Sequence, residues 1–175
     1  MFEQILNNEN NLKTFSKGEV LQRAGQDTSK IFLVKKGILR SYIIDSKGKE
    51  HIYMFGSEGW IVSDIESQTF ECKTVLFIEA IEESEVYVMN QMSFDHLKEK
   101  DNGFDAMVTS LSKRIGAMQR RILALMSSSA RDRYESFLQI YPELPSRVPQ
   151  KMIASYLGIT PQALSTIRKK IAQGE

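Results

Sequence analysis

Seven apolar residues in the second half of the chain alternate in steps of four and three: Phe104, Val108, Leu111, Ile115, Met118, Ile122 and Leu125. This spacing is the a/d seam of a coiled coil, kept for about three heptads. A strand cannot use it, because strand faces repeat every second residue. The stretch therefore predicts one long helix with a narrow apolar seam. Asp101 or Asn102 starts it, and Ser127-Ser128-Ser129 interrupts it. Such a seam either packs on a domain of its own chain or pairs with the same helix of a second copy. We read it as the interface of a parallel homodimer.

Upstream, the period is different. Phe2, Ile5 and Leu6 suggest a short N-terminal helix. From Lys17 to Asn90, short β-rich runs alternate with turn signals: Glu19–Arg23, Ile31–Val34, Ile38–Ile44, His51–Phe55, Thr74–Ala80 and Val86–Met89. Asp45-Ser46-Lys47-Gly48 is a hairpin turn within the series. Many short strands at regular spacing predict a sandwich, barrel or roll.

Downstream, a second helix runs from Ala130 to about Ile140. Tyr141-Pro142, Pro145 and Pro149 then break the chain into loop or short strand. The stretch from Gln150 reads as a helix-turn-helix. Ile153, Ala154 and Leu157 share one face of a short helix, which Gly158 stops in a left-handed turn. Thr160 caps the next helix and Pro161 takes its first position. Leu164, Ile167 and Ile171 continue the apolar stripe. Gln162, Ser165, Thr166, Lys169 and Lys170 stay outside, polar and basic groups suited to a major groove. The candidate DNA-binding residues are Lys151, Thr160, Gln162, Ala163, Ser165, Thr166, Arg168, Lys169 and Lys170. The competing reading is an ordinary helical hairpin.

Charge is distributed to match. Residues 1–100 hold 12 basic and 16 acidic side chains, a net of −4; residues 101–175 hold 11 and 6, a net of +5. An acidic front half and a basic back half fit a sensor joined to a nucleic-acid reader. Cys72 is the only cysteine. It excludes an internal disulfide and points to a reduced cytoplasmic compartment. No apolar run is long enough to span a bilayer, and no signal-peptide core begins the chain.

This order of parts resembles the Crp/Fnr-type bacterial transcription regulators over nearly the whole chain. The resemblance is carried by Ile38-Leu39-Arg40-Ser41-Tyr42 after a Lys-Lys-Gly turn, by Glu58-Gly59-Trp60, by Ala80–Val86 and by the C-terminal motif. The segment from Ile153 to Ser165 is especially similar to short Bacteroidetes-type members. The resemblance implies a cyclic-nucleotide-binding-like β-roll, a dimerisation helix and a helix-turn-helix. It also implies sequence-specific DNA binding controlled by whatever the roll senses.

In members that bind cyclic AMP, a cassette reads Gly-Glu-Leu and, ten residues after the Glu, Arg-Ser or Arg-Thr. The Arg pairs with the phosphate and the Glu accepts from the ribose. The resemblance sets Ser63-Asp64-Ile65 and Thr74-Val75 at these places, so the Arg is missing. Lys73 is adjacent, but strand alternation points it the other way. Gly116-Ala117 stand where the base-reading Thr-Ser pair would be. The effector pocket is thus assigned to Gly59, Trp60, Ser63, Asp64, Thr74 and Val75, and tight binding of cyclic AMP is not expected. The recognition helix departs as well. Pro161, Gln162 and Thr166 replace the family's Arg-Glu pair and a later Arg, so bidentate guanine reading by Arg is lost there while Gln162 can read adenine. The few residues after Ile171 leave little room for a wing hairpin.

Other members sense through iron–sulfur clusters or haem. Cys72 alone cannot hold the former, and His51 and His96 are the only histidines, in different elements. No cofactor, metal site or catalytic residue is expected. The alternatives are a cyclic-nucleotide- or other small-ligand-binding signalling or interaction protein and a metal-dependent cupin-like enzyme, the latter needing several converging His or carboxylates.

The sequence therefore predicts an α+β chain. Residues 1–98 form a β-roll of double-stranded β-helix or jelly-roll type, 99–128 the dimerisation helix and 129–175 the helix-turn-helix domain. The expected partners are a second copy, double-stranded DNA at a pseudo-palindromic site, RNA polymerase and an unidentified small-molecule effector, with no membrane.

Overall fold

A computed structural model describes residues 11–90 and 103–174. The chain divides into two compact units, Met1–Leu111 and Ser112–Glu175. The helix expected around Phe2, Ile5 and Leu6 lies outside the described residues.

Among the described residues the first unit holds eight strands: β1 Leu12–Phe15, β2 Val20–Gln22, β3 Ile31–Lys36, β4 Leu39–Ile44, β5 Glu50–Gly56, β6 Ile61–Ser63, β7 Phe77–Ala80 and β8 Ser84–Met89. They form two four-stranded sheets, ordered β1-β8-β3-β6 and β2-β7-β4-β5. The antiparallel pairs β1–β8, β2–β7, β3–β6 and β4–β5 are those of one long hairpin rolled up on itself. Its tip is the turn predicted at Asp45–Gly48, where the Asp45 Oδ1 accepts the N–H groups of Lys47 (2.9 Å) and Lys49 (3.0 Å).

Phe32, Val34, Leu39, Met54, Val62, Ile78, Ala80 and Val86, drawn from both sheets, make the main core. Ile31 and Leu33 instead join Tyr87 and Met89 in a second cluster. β3 is therefore buried on both faces, which explains its unbroken apolar run. Gly37 joins β3 to β4 at φ +95°, where a Cβ would collide with Ser84 Oγ and stand 2.8 Å from the Glu83 carbonyl. Only glycine fits that turn.

Two strands were not legible. β1 reads Leu-Lys-Thr-Phe and β6 has three residues, too few for a period to register. Between β6 and β7 lies a short helix, α1 Ile65–Phe70, also unforeseen. The strand expected from Thr74 begins only at Phe77, because the backbone N–H groups of Val75 and Leu76 bond to a side chain instead.

The seam is carried by α2, Gly103–Ser127, an unbroken helix of 25 residues. Its end falls in the predicted serine run, and Ser129 caps α3, Ala130–Ile140, through a reciprocal pair of hydrogen bonds with Asp132. The stretch around Pro145 is neither loop nor strand but a helical turn, α4 Leu144–Arg147. Proline is tolerated there because the first turn of a helix needs no N–H from it. α5, Gln150–Leu157, and α6, Pro161–Ala172, follow. Tyr134, Phe137, Tyr141, Leu144, Val148, Ile153, Ala154, Leu157 and Leu164 are buried in this unit.

Candidate nucleic-acid interface and ligand cassette

The turn between α5 and α6 is built as the sequence reads. Gly158 lies at φ +70°, its N–H donates to the Ser155 carbonyl (3.1 Å) and the Ile159 N–H donates to Ala154 (3.0 Å). These bonds satisfy carbonyls that the end of a helix leaves open. The Thr160 hydroxyl accepts the Ala163 N–H at 3.2 Å, and Pro161 opens α6. Ile153, Ala154, Leu157 and Leu164 are buried on the inner side of the two helices.

On the other side, Thr160, Gln162, Ser165, Thr166, Lys169 and Lys170 are exposed, as is Lys151 on α5. Gln162, Thr166 and Lys169 or Lys170 follow helical spacing, so one face of α6 carries them. Thr166 donates its hydroxyl to the Gln162 carbonyl at 3.1 Å. Ala163 and Arg168 are half-buried. The exposed surface is an acceptor–donor stripe ending in two ammonium groups.

Two arginines that the sequence did not single out organise the same turn. Arg121 on α2 stacks over the Tyr156 ring, 4.2 Å from its centroid, and donates to the Tyr156 carbonyl at 3.0 Å. Arg133 on α3 donates to the Leu157 carbonyl at 3.0 Å and to the Ser128 carbonyl at 2.7 Å. Tyr156 in turn packs on Phe137 and Tyr141, with ring centroids 5.6 and 6.2 Å away. Burial, followed by the neighbouring Tyr156, pushes the Tyr141 phenol above its ordinary value. The helical spacing of Tyr134, Phe137 and Tyr141 was the available signal for this cluster. The arginines gave none, because an Arg on a helix usually reads as a solvated charge.

Of the seam, Val108, Ile115, Ile122 and Leu125 are exposed, Ile115 to 64%, and Met118 is half-buried. Phe104 and Leu111 fall within α2. Leu125 also reaches the turn: its Cδ2 is 3.3 Å from where a Cβ on Gly158 would stand.

In the roll, the cassette residues Asp64, Thr74 and Val75 are brought together. Asp64 is 1% exposed and caps α1. One carboxylate oxygen accepts the Ser67 N–H (3.3 Å); the other accepts those of Val75 (2.7 Å) and Leu76 (2.9 Å). Thr74 is also buried. Its hydroxyl donates to the Arg23 carbonyl (2.8 Å) and accepts from the Gln26 N–H (3.0 Å). Ser63 is buried beside Asp64, whose N–H donates to Ser29 Oγ at 3.1 Å. Gly59 and Trp60 form the β5–β6 turn: Gly59 donates to the Val34 carbonyl (2.8 Å), and Trp60 packs on the core. Lys73 is exposed and faces Asp27 at 3.6 Å. Arg40 lies buried between the carboxylates of Glu50 and Glu79 and over the Tyr42 ring. Among the described residues, no group of three or more His, Cys, Asp or Glu is placed to hold a metal, and no helix is long and apolar enough to cross a membrane.

The cyclic nucleotide-binding domain family matches residues 12–101, which is the roll and the residues that follow it. The chain belongs to that family. The match of the whole chain extends further. It is 26% identical over 182 residues to the fumarate and nitrate reduction regulatory protein of Vibrio cholerae serotype O1, covering 93% of this chain and 69% of that protein. FixK2 from Bradyrhizobium japonicum has the same fold, with a TM-score of 0.74 and 19% identity over 93% of this chain and 85% of that one. So does a Crp/Fnr-family transcriptional regulator of Thermus thermophilus, TTHA1359, with a TM-score of 0.72 and 16% identity over 93% and 86%.

The family's description implies a cyclic nucleotide, and the cassette of this member does not fit one. Asp64, the residue that would meet the ribose, has both oxygens committed to backbone N–H groups of its own chain. Thr74 stands where the phosphate-binding Arg would be, uncharged and with its hydroxyl bonded on both sides. At position 74 itself there is no guanidinium to meet a cyclic phosphate beside the Asp64 carboxylate.

Proposed function

We propose that this protein is a cytoplasmic, homodimeric transcription regulator of Crp/Fnr type, which binds double-stranded DNA through α5 and α6 and takes its signal from something other than tightly bound cyclic AMP. The observation that carries the reading is the construction of α5, the Gly158 turn and α6. Their apolar side is buried, and the outer side presents Gln162, Ser165, Thr166, Lys169 and Lys170 together to one partner. The exposed seam residues Val108, Ile115, Ile122 and Leu125 support pairing with a second copy. Two reading heads related by a two-fold axis would address a pseudo-palindromic site with half-sites about one helical turn apart. Phosphate contacts from Lys151, Lys169, Lys170 and Arg168 supply affinity, and Gln162, Ser165 and Thr166 supply base contacts, with adenine the natural target of Gln162.

The filled cassette supports the view that the effector is not a cyclic nucleotide. The relatives' regulatory role favours a binding protein over an enzyme. RNA polymerase is the expected partner of the DNA-bound form. The test is selection of bound duplexes from a randomised pool by the purified full-length protein. A two-fold-symmetric consensus supports the reading, and a pool that stays unenriched at low salt contradicts it.

A further inference from the structure

The last residues of α5, Tyr156 and Leu157, and the Gly158 that caps it are held from outside by three side chains. Arg121 takes the Tyr156 carbonyl and ring. Arg133 takes the Leu157 carbonyl and, with a second nitrogen, the Ser128 carbonyl in the link between α2 and α3. Leu125 packs on Gly158. The end of a short helix leaves its final carbonyls without intrahelical donors, and its dipole favours a cation there. Arg121 supplies that charge from α2, and Arg133 from α3, the helix that follows α2 across the Ser128 link.

From this geometry we propose that Arg121 and Arg133 are positioning residues: they fix the orientation of the helix-turn-helix relative to the long helix α2. The proposal rests on the DNA-binding reading for its purpose but not for its geometry. It also separates the basic residues of the C-terminal half by role. Arg121 and Arg133 point their guanidinium groups at carbonyls of the protein, whereas Lys151, Lys169 and Lys170 are exposed. The first pair sets where the head points, and the lysines hold the phosphates. In a dimer built on α2, the angle between α2 and α6 decides whether both heads meet successive turns of the duplex. Loosening it removes the register needed for two specific half-sites and leaves each head's phosphate contacts intact.

A planar guanidinium that stacks and donates together is not replaced well by an ammonium. Specific binding therefore falls in the order Arg, Lys, Gln at position 121.

The test uses the full chain with Cys72→Ser, spin-labelled through Gln119→Cys on α2 and Gln173→Cys beyond α6, both exposed positions, and diluted with unlabelled protein. A narrow distance distribution is expected in the parent. Arg121→Gln and Arg133→Gln broaden it while helix content stays unchanged, and Arg121→Lys lies between. Should Arg121→Gln fail to fold, Tyr156→Leu, which removes the stacked ring and keeps the carbonyl, takes its place and broadens the distribution in the same way. In parallel, Arg121→Gln weakens binding to the selected duplex about tenfold or more, with binding to random duplex and its salt dependence unchanged. A distribution as narrow in the folded variants as in the parent overturns the proposal, whatever the DNA result. A parent that selects no duplex while the distances still broaden sinks the regulator reading and leaves the positioning role standing.

Discussion

The Asp64 carboxylate accepts the backbone N–H of Val75 at 2.7 Å. Together with the bonds from Leu76 and Ser67, this places a negative charge of the protein's own inside a nest of backbone donors. With Asp64 bonded in this way and Thr74 in place of an Arg, weak binding of cyclic nucleotides is expected. Calorimetric titration with cyclic AMP and cyclic GMP is expected to show no binding at micromolar concentrations. Saturable micromolar heat from either nucleotide would mean that Asp64 yields its place.

The same bonds make Asp64 a structural keystone of the roll. Asp64→Ala removes a helix cap and leaves the part-buried N–H of Val75 and the buried N–H of Leu76 without an acceptor. At about 1–3 kcal/mol for each of the two orphaned groups and about 1 kcal/mol for the cap, a loss of about 3–7 kcal/mol is expected. Denaturant unfolding followed through Trp60 fluorescence measures it. A change under about 1 kcal/mol would show that water replaces the carboxylate freely.

Ile115 is the most exposed of the described seam residues, at 64%. Placing a charge at a buried seam position is strongly unfavourable, so Ile115→Glu is expected to convert a dimer into a folded monomer. Sedimentation velocity reads the change in mass. Specific DNA affinity falls with it, because one head then binds one half-site. An unchanged sedimentation coefficient would assign the seam to another role.

At the tip of the roll, the hydrogen bond from His51, with those from the backbone of Lys49 and Lys47, holds the Asp45 carboxyl down at about 2, against an ordinary 3.8. A depressed folded-state value means that Asp45 contributes stability fully present above its ordinary value and lost as pH falls through about 2. The Asp45→Asn variant should therefore show a shallower loss of stability between about pH 4 and pH 2 than the parent. Parallel acid-unfolding curves would contradict the assignment.

The roll was legible because six of its strands lie in apolar or β-branched runs set between turn signals. β1 and β6 were not, since two exposed polar residues in Leu12–Phe15 and the mere three residues of Ile61–Ser63 leave no pattern to read. The helix-turn-helix was legible down to its cap, because Gly158, Thr160 and Pro161 each answer a local backbone demand. What escaped is non-local. The Asp64 bonds join residues eleven and twelve positions apart, and Arg121 meets Tyr156 across 35. Spacing along the chain holds no trace of either. That Thr74 stands in place of an Arg was legible in the sequence and led to the expectation of weak cyclic-AMP binding, while the bonds that Asp64 makes became visible only in its partners.

Whether α5 and α6 read DNA is decided by the salt dependence of binding. Fluorescence anisotropy of a labelled duplex from the selected pool is followed with the full-length protein from about 50 to 200 mM salt. Affinity should fall by about a thousandfold or more for a dimer that neutralises several phosphates. In Lys169→Gln/Lys170→Gln the slope becomes shallower, by about one unit for each phosphate deprived of its lysine, and in Gln162→Ala discrimination against a scrambled duplex weakens. Binding that is absent at about 50 mM salt, or equal for parent and lysine variant at every salt concentration, would show that α5 and α6 do not hold DNA.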